Sequence, residues 1–241
     1  MKHDERASAE LLEVIELAKR FLEQQKTLGL QKIRLSRAAL SELDNVASSD
    51  SAERQRDAAA AIAELASAVQ TCTKCHLSRS RKNVVPGQGN PYAKLMFIGE
   101  APGADEDEQG LPFVGKAGQL LTRIIAAINL KREDVYICNI LKCRPPDNRT
   151  PSSDEIECCL PFVMEQVRVI HPKFICALGN VAAQTLLQTK APMNRLRGKF
   201  HKFGEALLMP TYHPAALLRN ADYKKPTWED MQMIQRELEK L

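Results

Sequence analysis

The 241-residue sequence lacks any run of eighteen consecutive apolar residues. A membrane-spanning helix needs about 20 such residues, so no such helix is predicted. The first ten residues, MKHDERASAE, are charged and lack the apolar segment of a secretory signal peptide. We therefore expect a soluble protein that stays in the cytoplasm.

The two common phosphate-binding patterns are also absent from the glycine-rich residues 99–118. This segment contains neither GxGxxG nor GxxxxGK[ST], which are typical of dinucleotide-binding and P-loop proteins. It carries four consecutive acidic residues at positions 105–108, and these would repel a phosphate group. The segment is therefore not predicted to bind a nucleotide phosphate.

A disulfide framework is not predicted either. The seven cysteines occur in a chain without a secretion signal, and disulfides are rare in reducing compartments, so the thiols are either core residues or metal ligands. The formal net charge of +4 is uneven, since residues 1–70 sum to about −2 and residues 71–241 to about +6. The second region can therefore bind a polyanion, although its charge alone does not require one.

Residues 99–118 read GEAPGADEDEQGLPFVGKAG and lie between two apolar segments. Residues 94–98 have the composition of a buried strand and residues 119–128 have helical periodicity, so a long loop is predicted between a strand and a helix. Five glycines and two prolines restrict the path of this loop and let a ligand approach its backbone closely. We interpret it as a rigid pocket; the alternative is a surface loop with a solvated charge run.

Strands and helices alternate from about residue 93 onward. The predicted strands are residues 94–98, 135–139, 173–178 and 206–209. Their alternation with helices predicts a three-layer α/β sandwich with a central, mainly parallel four-stranded sheet and a site at its carboxyl edge. Later helices are expected to begin at Thr150-Pro151 and at Thr227, with Asp230 as the capping-box partner of Thr227.

Residues 1–64 are predicted to be an N-terminal helical extension that ends in a linker. Apolar residues recur there at helical spacing, and a stretch rich in Ser and Ala follows them. Residues 65–241 are then the α/β domain. The extension is either a helical segment without chemistry or an arm that binds a protein partner, and its pattern does not separate the two.

Several cysteines have the spacing of metal ligands. Cys72 and Cys75 form a CxxC pair, which Cys143 and one cysteine of the doublet Cys158-Cys159 can complete to a four-thiolate site. Adjacent residues of a helix point about 100° apart, so only one of the doublet is expected to bind. Spacing alone leaves zinc and iron-sulfur chemistry open.

Two polar residues lie at the carboxyl ends of predicted strands. Asn139 ends the second strand, where an Asn commonly satisfies its own turn. His213 follows the fourth strand and precedes Pro214, which favours an extended backbone before a short helix; a lone His is more often structural. Residues 194–202, NRLRGKFHK, concentrate cations that suit either a solvated face or a nucleic-acid contact.

Three of these features resemble one enzyme family. GEAPG at 99–103 with PFVG at 112–115, the cysteine spacing, and HPAALLR at 213–219 are similar to motifs of the iron-sulfur (family 4) uracil-DNA glycosylases of the uracil-DNA glycosylase superfamily. The resemblance covers roughly residues 65–240. It implies hydrolysis of the N-glycosidic bond of deoxyuridine in DNA, with release of uracil for base excision repair, and a [4Fe-4S] cluster as cofactor.

The resemblance also implies roles for individual residues. The implied catalytic residues are Glu100, Glu106, Asp107 and His213. The implied uracil-binding residues are Glu100, Ala101, Phe113, Asn139 and His213. The implied cluster ligands are Cys72, Cys75, Cys143 and Cys159, the last because it begins a Cys-x-Pro-aromatic pattern. DNA contacts are expected at Arg144, Arg149, Arg197, Lys199, Arg219 and Leu217, the last as a wedge that replaces the flipped base.

The expected partner is uracil-containing DNA, and no membrane is expected. We expect a monomer in a prokaryotic cytoplasm, acting on nucleoid DNA. Asn139 is expected to read the O4 and N3–H edge of uracil, where cytosine exchanges donor and acceptor. The alternative class is a non-catalytic nucleic-acid-binding protein with a structural metal centre. A zinc hydrolase is disfavoured because four thiolate ligands leave no open position for water.

Overall fold

The computed structural model describes residues 58–241, which lie within one compact unit. The predicted helical extension lies outside the described residues as far as residue 57. Residues 58–70 form a helix, α1, which continues through the expected domain boundary at residue 64. The division of the chain at that point stays a prediction.

A six-stranded sheet forms the middle layer, in the order β1-β3-β2-β4-β6-β5. The strands are β1 (Gln88–Gly89), β2 (Leu95–Gly99), β3 (Tyr136–Asn139), β4 (Phe174–Leu178), β5 (His201–Phe203) and β6 (Ala206–Thr211). The four inner strands are parallel, whereas β1 and β5 pair antiparallel at the two edges. The predicted parallel sheet is confirmed. The edge strands are additions, too short and too polar for their sequences to indicate them.

Helices pack against the sheet and connect its strands. After α1 they are α2 (Ala104–Gln109), α3 (Lys116–Ala127), α4 (Ser153–Ile170), α5 (Asn180–Leu186), α6 (Met193–Leu196), α7 (Pro214–Arg219) and α8 (Lys224–Leu238). Among residues 58–241, none of the helices is long and apolar enough to cross a membrane.

The sheet separates two apolar cores. Leu95 and Phe97 of β2 belong to the core shared with α3 and α8, whereas Met96 and Ile98 belong to the core shared with α4 and α5. This alternation follows from the two-residue period of a strand, and burial on both faces explains why the strand sequences are continuously apolar. The expected three-layer α/β sandwich is confirmed.

Three local expectations are wrong. The helix α4 begins at Ser153 rather than Pro151, because Ser152 caps it by accepting a hydrogen bond from the Glu155 N–H. The helix α8 begins at Lys224, so Thr227 lies within it and donates its hydroxyl to the carbonyl of Tyr223. The acidic residues 105–108 lie in the helix α2 rather than in a loop.

Asp230 is a buried anchor rather than a capping residue. Its carboxylate accepts hydrogen bonds from the Arg197 guanidinium, the Gly198 N–H and the Thr211 hydroxyl, the last at 2.6 Å. Burial raises the pKa of Asp230, while these donors favour its charged form. The network ties α8 to the end of β6, two residues before His213.

The parallel strands bring distant segments to one edge of the sheet. Gly99 at the end of β2 pairs directly with Asn139 at the end of β3, and the Ile140 N–H donates to the Gly99 carbonyl at 2.9 Å. The helices α3 and α7 pack together, and Phe113, which precedes α3, lies beside His213, which precedes α7. The carboxyl edge of the sheet therefore carries the site, as expected for this topology.

Candidate active site

A pocket with a volume of about 380 Å³ opens at this edge. It is lined by Glu100, Ala101, Pro102, Gly103, Glu106, Phe113, Ala117, Asn139, Pro145, Asn148, Arg149, His213, Ala215 and Arg219. Each of the five residues predicted to bind uracil is in this set. The sequence motifs therefore converge on one cavity, although they span more than a hundred residues of the chain.

Glycines allow the pocket to form. A Cβ on Gly99 would lie 2.4 Å from Asn139 Oδ1 and 2.6 Å from Phe113 Cζ, and a Cβ on Gly118 would lie 1.9 Å from the Phe113 carbonyl oxygen. Real Cβ atoms do not approach other atoms so closely, so both positions require glycine. Without them the amide and the ring could not share the pocket floor.

Phe113 has a left-handed backbone, with φ 53°, which is uncommon for a residue with a side chain. Hydrogen bonds on both sides hold it there. The Glu106 carboxylate accepts from the Val114 N–H at 2.9 Å and from the Gly115 N–H, and the Arg132 guanidinium donates to the carbonyl of Pro112. The 5% exposed ring is thus a fixed wall of the pocket.

Asn139 carries an unsatisfied polar atom. Its side chain is 1% exposed, and its Oδ1 accepts no hydrogen bond from any residue in 58–241. A buried acceptor without a partner costs about 1–3 kcal/mol, so such an atom calls for an explanation. Because Asn139 lines the cavity, a ligand with an N–H donor would satisfy it.

His213 is held as a neutral donor. Its Nδ1 accepts a hydrogen bond from the Ala215 N–H at 3.1 Å, so the ring proton is on Nε2. Burial lowers the pKa of His213 from 6.5 to about 4, and the positive charge of Arg219 adds to this shift. The imidazole ring lies 5.5 Å from the Phe113 ring, measured between centroids. The pocket therefore contains an uncharged N–H donor at neutral pH.

Glu100 is a half-buried acidic residue of the pocket. Burial raises its pKa above the ordinary value of 4.5, because desolvation disfavours the carboxylate. Its carbonyl accepts the Leu141 N–H at 3.0 Å, which anchors the residue to the segment after β3. A carboxylate with a raised pKa is a better proton acceptor than an exposed one.

The other two predicted catalytic acids are scaffold residues in this structure. Glu106 lines the cavity, but its oxygens accept N–H groups of Gly103 and of the loop around Phe113. Asp107 does not line the cavity; its buried Oδ1 accepts the N–H groups of Lys82 and Asn83 at 3.0 and 3.3 Å. Asp107 therefore holds the backbone at Lys82 and Asn83, outside the cavity lining.

Two of the residues expected to contact DNA are mostly buried. Arg197 is only 18% exposed in its side chain and is paired with Asp230. Leu217 is 4% exposed and belongs to the core, whereas the adjacent Leu218 is 49% exposed. Spacing within α7 could not distinguish these neighbours, because which one faces inward depends on how α7 packs against α3.

The remaining basic residues surround the pocket or lie on the surface. Arg149 and Arg219 line the cavity, and Arg149 is held in a two-pronged ion pair by the buried carboxylate of Glu155. Arg144 donates from Nε to the Asn148 side chain at 2.7 Å. Lys199 is exposed. The cavity therefore has a cationic rim.

The four cysteines expected to bind a cluster line one small cavity, together with Cys158. The Arg81 guanidinium donates to Cys143 Sγ at 3.1 Å, and the Lys142 N–H donates to Cys159 Sγ at 3.2 Å. Burial raises the pKa of the Cys143 thiol, and that of Cys159 to about 11. These sulfurs therefore need a cation or a metal centre to become thiolates.

The two cysteines of the doublet differ in burial and in hydrogen bonding, although both line the cavity. Cys159 is buried, whereas Cys158 is half-buried and its Sγ lies 3.5 Å from the Lys74 carbonyl, to which it donates. Within residues 58–241, no three His, Cys, Asp or Glu side chains are arranged to hold a metal ion. The sulfurs thus face a shared cavity without forming a single-ion site.

Comparison with known proteins assigns the family. The model of the uracil DNA glycosylase superfamily matches residues 86–232. The chain belongs to this superfamily. It is 45% identical over 183 residues to the type-4 uracil-DNA glycosylase of Saccharolobus solfataricus, a match that covers 72% of this chain and 85% of that protein.

Other type-4 uracil-DNA glycosylases have a similar sequence identity to this chain. The identity to the Thermotoga maritima protein is 45% over 154 residues, covering 63% of this chain and 80% of that one. The identity to the Pyrobaculum aerophilum protein is 41% over 174 residues, covering 69% and 89%. The predicted resemblance to the family-4 enzymes is confirmed.

The neutral state of His213 can be tested by NMR. We expect the ring nitrogens of His213 to titrate with a midpoint near pH 4 and the Nε2–H tautomer above it. Since the folded pKa lies below the ordinary 6.5, the unfolded chain binds this proton more readily, and protonation between pH 6.5 and 4 weakens the fold. A His213→Gln variant assigns the signal; a midpoint near 6.5 would contradict the assignment.

Proposed function

We propose that this uracil-DNA glycosylase binds an extruded deoxyuridine in the cavity at the carboxyl edge of the sheet and hydrolyses its N-glycosidic bond. The observation that carries this proposal is the buried Asn139 Oδ1, which accepts no hydrogen bond within residues 58–241 and lines the same cavity as the neutral imidazole of His213. A pyrimidine base offers the two groups what they need: an N–H for the amide oxygen and a carbonyl for the ring N–H.

Base recognition falls to Asn139 and Phe113. The Asn139 oxygen accepts the N3–H of uracil while its amide nitrogen donates to O4; cytosine reverses both groups and is rejected, because it would leave the buried amide unpaired. The Phe113 ring stacks on the face of the base. Its fixed backbone supports this role, since a rigid ring excludes bases that do not fit between it and the opposite wall.

Bond cleavage places negative charge on the uracil ring as the C1′–N1 bond breaks. We assign stabilisation of that charge at O2 to the Nε2–H of His213, with the peptide N–H groups of Glu100 and Ala101 as further donors. A neutral donor keeps its proton on the enzyme while its hydrogen bond to O2 strengthens. The uracil leaves as an anion, and both electrons of the broken bond go with it.

Hydrolysis is completed by water at C1′. Glu100 accepts the proton of this water as its oxygen bonds to C1′, leaving an abasic site. Its raised pKa supports this role, because a half-buried carboxylate binds a proton more readily than an exposed one. Glu106 assists only by holding the loop that carries Phe113.

DNA binding is assigned to the cationic rim. Arg149 and Arg219 at the mouth of the cavity, with Arg144 and Lys199 beyond it, contact backbone phosphates, and they position the duplex without reading its sequence. We assign the side chain that fills the gap left by the flipped base to the exposed Leu218 instead of the buried Leu217. Arg197 is left out because only 18% of its side chain is exposed, whereas Arg149 is 41% exposed within its own ion pair.

The cofactor that we propose is a [4Fe-4S] cluster held by Cys72, Cys75, Cys143 and Cys159. Four thiols around one cavity are the donor set that such a cluster uses, and hydrogen bonds to two of the sulfurs support the thiolate form. When bound, the cluster would cross-link the segment after α1, the loop after β3 and the helix α4. Its proposed role is structural.

The remaining parts of the proposal concern organisation. We propose that residues 65–241 form the catalytic domain and act as a monomer on uracil-containing DNA in the prokaryotic cytoplasm. Residues 1–64 would be an accessory extension, available to a protein partner.

The reaction and the pocket can be tested together. We expect the anaerobically purified protein to release uracil from a labelled oligonucleotide with one deoxyuridine. His213→Ala should lower the single-turnover rate by about 10²–10³-fold, the loss typical of one such donor. Asn139→Ala should slow uracil release and weaken the preference for uracil over cytosine. Wild-type rates and selectivity in both variants would contradict the assignment of the pocket.

The ligand assignment can be tested with the cysteine doublet. Cys159→Ser should lower the iron content and visible absorbance per chain, because it removes the buried sulfur that the Lys142 N–H contacts. Cys158→Ser is the matched control and should retain iron, because that sulfur donates to the Lys74 carbonyl instead. Iron loss in Cys158→Ser alone would exchange the two assignments.

The leucine pair separates the wedge from the core. Leu218→Ala should lower uracil release from duplex DNA by about tenfold while leaving the melting temperature unchanged, because the side chain is exposed. Leu217→Ala should cost about 2–5 kcal/mol of unfolding free energy, as for other buried leucines. Equal rates of Leu218→Ala and wild type on duplex DNA would remove Leu218 from the mechanism.

A further inference from the structure

We propose that a second cavity beside the uracil pocket is a nucleotide subsite, which binds the base next to the deoxyuridine when the DNA is single-stranded. This inference rests on the proposed function and deepens it. It gives a role to Tyr212 and Tyr223, which neither base recognition nor bond cleavage employs.

The second cavity adjoins the first. It has a volume of about 460 Å³, against about 380 Å³ for the uracil pocket. Glu100, His213 and Arg219 line both cavities. Space for a second nucleoside therefore lies directly across the side chains that are assigned to the deoxyuridine.

Two tyrosine rings form an aromatic wall of this second cavity. The rings of Tyr212 and Tyr223 are stacked, with centroids 4.2 Å apart and an angle of 18° between their planes. Tyr212 packs against the core shared with α4 and α5, so the half-buried Tyr223 is the outer ring of the pair. Stacking on an aromatic ring suits any of the four bases, because each has a π-face. The pair therefore provides a stacking surface for a base.

Hydrogen-bond donors surround the stacked rings. Asn180 and Asn220 line the cavity, and the Oδ1 of each accepts a main-chain N–H, at 3.1 Å and 2.9 Å respectively. Each amide is thus held by its oxygen, which leaves its NH₂ group for another acceptor. The exposed guanidinium of Arg219 makes no hydrogen bond or ion pair with any residue in 58–241. Stacking rings, amide donors and one cation together suit a nucleotide, which has an aromatic base, acceptor oxygens and a phosphate.

Arg219 connects the two cavities. Because it lines both, its guanidinium can contact the phosphate that joins the deoxyuridine to the next nucleotide, while the two bases occupy the two cavities. The stacked rings lie on the far side of His213 in the chain, since Tyr212 precedes it directly. One stretch of the chain therefore carries contacts for two successive nucleotides.

The restriction to single strands follows from what covers the neighbouring base. In a duplex that base is paired and stacked, so moving it into the cavity would cost unpairing and unstacking in addition to the flipping of the deoxyuridine. In a single strand it has no pairing partner to lose, and stacking on the tyrosine ring stabilises the complex. We therefore expect the subsite to be filled in single-stranded DNA and empty in duplex DNA.

The experiment measures the binding of oligonucleotides that are not cleaved. Each carries one 2′-fluoro-2′-deoxyuridine, whose glycosidic bond resists hydrolysis, and either a normal nucleotide or a base-free tetrahydrofuran nucleotide on its 5′ or 3′ side. The Kd for the holoenzyme is measured by fluorescence anisotropy. We expect the single strand to bind about tenfold more weakly when the base on one of these sides is missing, the loss typical of one stacked base.

Tyr223→Leu removes the outer ring. This variant should raise the Kd of the complete single strand about tenfold, have no further effect on the base-free strand, and leave the Kd of the complete duplex unchanged. Tyr223→Phe keeps the ring and should bind like the wild type. Tyr92→Leu is the matched control, because Tyr92 is a 38% exposed tyrosine that precedes β2 at the amino end of the sheet. It should bind every oligonucleotide like the wild type.

Two results would overturn the inference. One is equal affinity of the wild type for the complete and both base-free single strands, a result that does not depend on the folding of any variant. The other is the same loss of affinity for single strand and duplex in Tyr223→Leu, which would make the ring purely structural. Uracil release from ordinary deoxyuridine tests the proposed function separately. Its absence together with base-dependent binding would remove the glycosylase assignment and leave the subsite.

Discussion

The close approach of Gly99, Asn139 and Phe113 is the constraint on which the rest of the site depends. Parallel pairing of β2 with β3 sets Gly99 beside Asn139, and the absent side chain of Gly99 leaves the space that the amide and the ring occupy. The pocket floor is thus made by omitting a side chain between two strand ends. Its shape is determined by backbone positions, which a rigid sheet holds more precisely than a loop could.

The electrostatics of the pocket follow from the same burial. Desolvation keeps His213 neutral, raises the pKa of Glu100 and leaves Asn139 Oδ1 unsatisfied, so each polar group is ready for a bond that only a ligand can make. The cations Arg149 and Arg219 line the cavity as well, where phosphates rather than the base would meet them. The neutral donors and acceptors of the pocket are therefore suited to the base, and the arginines are suited to the phosphate backbone of the DNA.

Much of the fold and the composition of the site could be predicted from the chain alone. The four inner strands have continuous apolar runs because both of their faces are buried, and Asn139 and His213 follow strand ends that a parallel sheet must bring to one edge. The short edge strands β1 and β5 could not be predicted, since two or three residues pair there only because a neighbouring strand is already present.

Residue type and spacing by themselves determined the α/β class, the carboxyl-edge site and the set of cysteines around one cavity. Only the tertiary structure decided which of several chemically similar residues are buried, paired or exposed. In the folded chain, the Asp107 carboxylate accepts a hydrogen bond from the Lys82 N–H. Leu217 is buried while Leu218 is exposed, and Arg197 is paired with Asp230. The reason is physical: a side chain's role depends on what lies within a few ångströms of it, and most of those partners are distant in the sequence.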